Sequence, residues 1–173
     1  PTPNERPCPK VPVEGVEFST GSLGHGLSFG VGKALYAKKN KLLWNVYVIV
    51  GDGEMNEGSI WEALSFAAHN NLSNLTLIID KNNLQSITTC DETLKMNLYE
   101  KCKAFGCDVY EVDGHNIEQL QHTTQMVSSI NPKVIIAKTV KGKGVSFMEG
   151  KVEWHYKCPN AVQVKQAISE IYA

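Results

Sequence analysis

The chain has 173 residues, with 17 Lys and Arg against 18 Asp and Glu and a formal net charge of −1 at pH 7. That balance excludes the one-signed field of a nucleic-acid or anionic-membrane binder, and no apolar run is long enough to span a bilayer. The length suits one domain with a real core, and five cysteines without a CxxC pair or zinc spacing read as reduced thiols of a cytoplasmic protein.

Residues 1–14 are polar and proline-rich and read as an irregular arm, with no signal peptide. No methionine opens it, which predicts that the natural start lies upstream. Residues 15–173 form the domain. From Ser22 to about Lys39, the spacing of Leu23, Leu27, Val31 and Leu35 predicts a helix. Gly24, Gly26, Gly30 and Gly32 lower its propensity and predict close packing against another backbone or a ligand. A strand follows near 45–50, a helix near 56–70 and a strand near 75–80. A single helix is expected from Asp91 to about Phe105, then a strand at 108–112. Asn116 to Ser129 reads as a helix, Val134 to Lys138 as a strand, and Ala161 to Ile171 as a last helix. Strands alternating with helices predict an α/β fold of three layers, a mainly parallel sheet covered on both faces. Ligands of such sheets sit at the carboxyl ends of the strands.

Two of those ends carry chemistry. Val46-Tyr47-Val48-Ile49-Val50 runs into Gly51-Asp52-Gly53, and Leu75-Thr76-Leu77-Ile78-Ile79 runs into Asp80-Lys81-Asn82-Asn83. Magnesium takes six oxygens, several of them from phosphates and water. Asp52 offers a carboxylate oxygen, Asn82 an amide oxygen, and the turn after it a backbone carbonyl, Leu84 being the best placed. Gly51 and Gly53 let the backbone approach a diphosphate with no β-carbon in the way. A helix starting near Asn56 would aim its free N–H groups at the anion. Taken alone, Gly-Asp-Gly after a strand is also a common turn in which Asp caps the next helix.

Gly51-Asp52-Gly53 with Asn82-Asn83 resembles the thiamine diphosphate signature. Gly-Asp-Gly-Glu-Met-Asn-Glu-Gly at 51–58 resembles transketolases. So do Ser19-Thr20-Gly21-Ser22-Leu23-Gly24-His25-Gly26-Leu27-Ser28 upstream, and Lys138-Thr139-Val140-Lys141-Gly142-Lys143-Gly144 with Glu153-Trp154-His155 downstream. The match runs from about Gly15 to Asn160 and is best to the amino-terminal half of a split, bacterial-type transketolase.

The resemblance implies thiamine diphosphate with Mg2+ (or Ca2+) as cofactors, with Asp52, Asn82 and Leu84 on the metal. It assigns Gly21, Leu23, Gly51, Gly53, Glu54, Asn82, Lys141 and His155 to cofactor contact. His155 would also meet substrate oxygens and assist proton transfer, and Glu57 would join a carboxylate network reaching a partner subunit. The plainer readings are a helix cap by Ser19, Thr20 or Ser22, an N-terminal acid at Glu57 and a solvated loop histidine at 155. His25, His69 and His122 read as surface residues, and capping accounts for Asp113-Gly114-His115-Asn116.

The implied activity is transfer of a two-carbon ketol unit from a ketose to an aldehyde acceptor, with sugar phosphates as substrates. The pyrimidine-binding and carboxy-terminal domains would come from a second subunit in a two-fold hetero-oligomer, and this chain alone is expected to be inactive. Cys8-Pro9 stands where relatives carry a Gly-His-Pro histidine, a longer amino-terminal region is missing, and Tyr156 replaces a usual glycine. Two other readings stay open. One is the matching subunit of a 2-oxoacid dehydrogenase or deoxyxylulose phosphate synthase; the other is a non-catalytic cofactor-binding paralogue.

Overall fold

The computed structural model describes residues 14–127 and 130–172. The predicted arm and the Cys8 position fall almost wholly outside them. In chain order the elements are α1 His25–Lys39, β1 Val46–Gly51, α2 Gly58–His69, β2 Leu75–Lys81, α3 Cys90–Leu94 and α4 Leu98–Ala104. These are followed by β3 Asp108–Asp113, α5 Ile117–Gln125, β4 Lys133–Lys138 and α6 Ala161–Ile171. Among the described residues four strands form one sheet, all parallel, in the order β1-β2-β4-β3. The expected α/β sheet is therefore present, and its carboxyl edge brings Gly51, Lys81, Lys138 and Asp113 side by side.

Alternation along each strand separates two faces. Val48, Val50, Leu75, Leu77, Ile79, Val134 and Ile136 form the larger core with Leu27, Val31 and Ala34 of α1, Ile60, Leu64 and Ala67 of α2, and Leu98 and Cys102 of α4. The opposite face holds a smaller cluster of Val112, Ile135 and Ala137, packed by Ile78 and by Leu120 of α5. On β1 that second face is uncovered, so Tyr47 and Ile49 are exposed. Gly30 explains how α1 lies so close to the sheet: a β-carbon there would overlap Val48 Cγ2 and stand 3.6 Å from Val46 Cγ1.

Several boundaries differ from the expected ones, each for a local reason. α1 begins at His25, not Ser22, because Gly24 adopts φ 82° and breaks the helix. Leu23 is therefore exposed and off the packed stripe. Its N-cap carries no side-chain hydrogen bond, so none of Ser19, Thr20 and Ser22 caps it; Thr20 Oγ1 instead accepts from Ser22 N–H at 3.0 Å. The expected helix near 56–70 is present as α2, preceded by a short 3-10 helix, Gly53–Asn56, with Glu57 extended between them as the N-cap. The single helix over 91–105 is two helices. Lys95 is extended, and the Asn97 side chain restarts the chain by accepting from Glu100 N–H. α5 stops at Gln125 because the buried Lys133 Nζ donates to the carbonyls of Thr123, Thr124 and Met126, taking up its terminal acceptors.

Candidate functional site

The tip of β1 is tied to the tip of β2. Gly51 pairs with Asp80 in the sheet register, and Asp52 N–H donates to Asp80 O at 3.1 Å. The Asp52 side chain completes the tie. Its Oδ1 accepts from Gly53 N–H at 2.9 Å and its Oδ2 accepts from Asn83 N–H at 2.5 Å. Asp52 therefore caps the 3-10 helix, as the plain turn reading expects, and also reaches across to the Asn82-Asn83 turn. It is 5 % exposed. Burial raises its carboxyl above the usual carboxylate range, against the opposing pull of the Asn83 N–H, the Cys90 thiol and the Gly53 N–H. A cation beside it would offset that cost.

Asn83 adopts φ 60°, which turns the chain sharply after β2. Asn82 Oδ1 accepts from Leu84 N–H at 3.0 Å, so its amide oxygen is folded back over the turn. Leu84 makes an antiparallel bridge to Thr89, Gln85 N–H donates to Thr88 O at 3.0 Å, and Cys90 N–H donates to Asn83 O at 3.0 Å. The loop over 83–90 is thereby closed beside Asp52. Burial, followed by the neighbouring Asp52 charge, pushes the Cys90 thiol up to about 12.

The upstream motif is held against the same tip. Glu54 Oε1 accepts from Gly24 N–H at 2.8 Å, and Ser59 Oγ donates to Gly24 O at 2.9 Å. Glu54 thus anchors the loop that carries Gly21 and Leu23. It also lines a cavity of about 400 Å3 with Phe18, Ser19, Thr20, Phe29 and Tyr47. Glu57 is exposed at the start of α2, its β-carbon 2.9 Å from where a side chain on Gly24 would begin.

The downstream motif leaves β4 beside them. Thr139 N–H donates to Lys81 O at 3.1 Å, and Thr139 Oγ1 donates to the Asp80 carboxylate. Lys141 and His155 lie within electrostatic reach of each other. Burial first, and the Lys141 charge second, lower the His155 ring below the ordinary histidine value. Trp154 beside it packs edge-on against Phe147, ring centroids 5.2 Å apart.

Sequence reasoning undervalued two residues. His115 does more than sit in a capped loop: its Nε2 accepts from Val140 N–H at 2.8 Å. Gln85 received no role, yet its side chain lies over Gly53 and its Nε2 is buried without a partner. His115 was legible as part of Asp113-Gly114-His115-Asn116. Nothing in the sequence marks Gln85.

The residues fit a diphosphate with a divalent ion. A β-carbon on Gly51 would stand in open space, which leaves that turn approachable, while Gly53 is crossed by Gln85. The donor set holds one carboxylate, one amide and one backbone carbonyl. Among the described residues no group of three His, Cys, Asp or Glu side chains could hold a metal. A cation here therefore depends on phosphate oxygens to fill its shell.

Comparison with known proteins identifies the family to which the chain is similar. Residues 7–171 match the family described as transketolase, thiamine diphosphate binding domain. The chain is 43 % identical over 166 residues to a subunit of the apulose-4-phosphate transketolase of Phocaeicola vulgatus, covering 94 % of this chain and 59 % of that protein. It is 44 % identical over 159 residues to the protein of the same name from Actinobacillus succinogenes, covering 91 % and 58 %. The crystal structure of a transketolase from Campylobacter jejuni superposes with a TM-score of 0.84 at 32 % identity, over 91 % of this chain and 26 % of that one. The chain thus spans less than two thirds of the relatives it matches.

Proposed function

The chain belongs to the transketolase family, as its thiamine diphosphate binding domain, and on that premise we propose that it is the cofactor-anchoring subunit of a thiamine diphosphate-dependent transketolase. The observation that carries the reading is the buried Asp52 carboxylate joined to Asn83 across two strand tips. Asp52, the Asn82 amide oxygen and the Leu84 carbonyl would hold Mg2+, with Ca2+ as a substitute, and the diphosphate would enter over Gly51, with Gly53 beneath the Gln85 side chain at its edge. Gly21 and Leu23, on the loop that Glu54 anchors, would line the cofactor. Lys141 would offset phosphate charge.

The bound cofactor supplies the carbanion chemistry by which a two-carbon ketol unit passes from a ketose to an aldehyde. His155, whose ring desolvation and the Lys141 charge both tilt towards the neutral form, would bond substrate oxygens and move a proton there. Glu57, exposed at the start of α2, is available to a carboxylate network with another chain.

The pyrimidine-binding and carboxy-terminal domains of the enzyme would lie on that second chain, in a two-fold hetero-oligomer. The two relatives from Phocaeicola vulgatus and Actinobacillus succinogenes, each named as one subunit of a transketolase, support the existence of a partner subunit. The substrates are proposed to be sugar phosphates, and the reduced cysteines suit a cytoplasmic setting.

The test mixes the purified chain with its partner and screens sugar-phosphate donors and acceptors, apulose 4-phosphate among them. Turnover is expected only when both chains, thiamine diphosphate and Mg2+ are present. Cofactor binding by the mixture with no turnover of any ketose donor would overturn the catalytic reading.

A further inference from the structure

We propose that Gln85 is a further cofactor-binding residue, whose carboxamide N–H2 donates to a diphosphate oxygen over the Gly51-Asp52-Gly53 turn. The inference rests on the cofactor-anchoring function proposed for this edge, and it concerns a residue that no motif marks.

The backbone of Gln85 is fixed. Its N–H donates to Thr88 O at 3.0 Å, inside the loop closed by the Leu84–Thr89 bridge. From there the side chain crosses Gly53. A β-carbon on Gly53 would come within 3.0 Å of Gln85 Cβ and 3.5 Å of Oε1. A side chain at position 53 would thus crowd Gln85, and glycine leaves its side chain room over this turn. Gly53 N–H is already spent on Asp52 Oδ1, so a side-chain donor at this point would add to what the turn offers an anion.

Gln85 carries such a donor, and in the protein alone it is unused: Nε2 is buried and makes no hydrogen bond. Buried polar atoms are nearly always paired, and a covered donor without an acceptor costs free energy. A glutamine kept only for packing would be better replaced by methionine, which has the same reach and no polar end. A diphosphate offers acceptors only. Rotation about the last side-chain bond exchanges Nε2 with Oε1, which lies towards Gly53, and so presents the N–H2 to an anion seated on the turn. The N–H2 then gains an acceptor on binding, and Oε1 takes the covered position, where it can accept but carries no unpaired donor.

The experiment uses the full chain co-purified with its partner chain and compares wild type, Gln85→Met and Gln85→Glu. Calorimetry with thiamine diphosphate and Mg2+ gives the affinity, and thermal unfolding without ligand gives the stability. Gln85→Met is expected to weaken cofactor binding about 5- to 20-fold while leaving the ligand-free melting temperature unchanged or higher, since an unpaired buried donor is removed. Gln85→Glu, which sets a carboxylate against the diphosphate, is expected to bind more weakly still. A wild-type affinity in either variant would overturn the assignment. So would a fall in the ligand-free melting temperature of Gln85→Met, because that marks a packing role. If wild type itself shows no Mg2+-dependent binding of thiamine diphosphate, the cofactor reading of the whole site fails, and this one with it. Wild-type binding with indifferent variants sinks Gln85 alone.

Discussion

Asp52 Oδ2 and Asn83 N–H, 31 residues apart in the chain, are joined by a hydrogen bond of 2.5 Å. That bond welds the exits of two neighbouring strands into one rigid edge. It also leaves a carboxylate largely buried, with its pKa raised by that burial. A cation at this edge would meet a charge the fold has already desolvated.

Asp52→Ala and Asp52→Asn separate the two consequences. Both are expected to abolish the Mg2+ dependence of thiamine diphosphate binding and to weaken it by about 10- to 100-fold, the scale of hydrogen bonds to charged groups. Asp52→Asn keeps an acceptor for Asn83 N–H and is expected to retain more thermal stability than Asp52→Ala. Calorimetry on the assembled complex, with and without EDTA, checks the first expectation. Unchanged affinity would refute the ligand assignment.

His155 and Lys141 yield a pH prediction. Burial and the Lys141 charge both disfavour the protonated ring, so the neutral ring persists to lower pH than in a free histidine. The unfolded chain takes up the proton more readily, and this group therefore loses stability for the fold as pH falls below the ordinary histidine value. If the neutral ring is the working form, Lys141→Met removes the second cause, and the acid limb of the kcat/KM profile moves to higher pH. His155→Ala is expected to lower turnover by about 10²- to 10⁴-fold with little change in cofactor affinity. Equal losses in both would count against a substrate role.

The His115 bond to Val140 N–H ties the exit of β3 to the segment that leads into Lys141. Gly114 packs under the same segment: a β-carbon there would stand 3.0 Å from Lys138 O. Val140 is at the surface, so water can replace the lost acceptor, and His115→Leu should cost only about 0.5–1.5 kcal/mol of stability. The larger effect is expected on the loop: faster proteolytic nicking near 140–144 and a few-fold loss of cofactor affinity. His115→Gln, which can offer a carbonyl oxygen at similar reach, is expected to restore both. A His115→Leu chain cut no faster than wild type would show that the bond does not hold the loop.

Two glycines of α1 should respond to alanine with opposite sign. Gly32 has open space where a β-carbon would go and an ordinary backbone. Gly32→Ala should therefore stabilise by about 0.5–1 kcal/mol through helix propensity alone. At Gly30 the same gain is offered, but the new methyl collides with Val48 Cγ2. Overpacking costs about 1–3 kcal/mol, so the net effect is a loss. Denaturant midpoints of the two variants decide it, and a stabilised Gly30→Ala would show that α1 can lift from the sheet.

Much of this was legible from the sequence because it is written in short-range pattern. The apolar runs at 46–50 and 75–79, the cap at Asn116 and the bounds of α6 depend on neighbours within a few residues. The Gly-Asp-Gly and Asn-Asn turns fall at strand ends for the same reason. Tertiary structure alone decided what those patterns could not encode. A left-handed Gly24 held by Glu54 and Ser59 moved the start of α1. Lys133, reaching back to three carbonyls, ended α5 early. The Asp52–Asn83 bond, the His115–Val140 clamp and the unpaired Gln85 amide over Gly53 join residues distant in the chain. Periodicity reports which way a residue faces within its own element; the partner it meets is fixed only when parallel strands align their ends and bring separate loops to one edge.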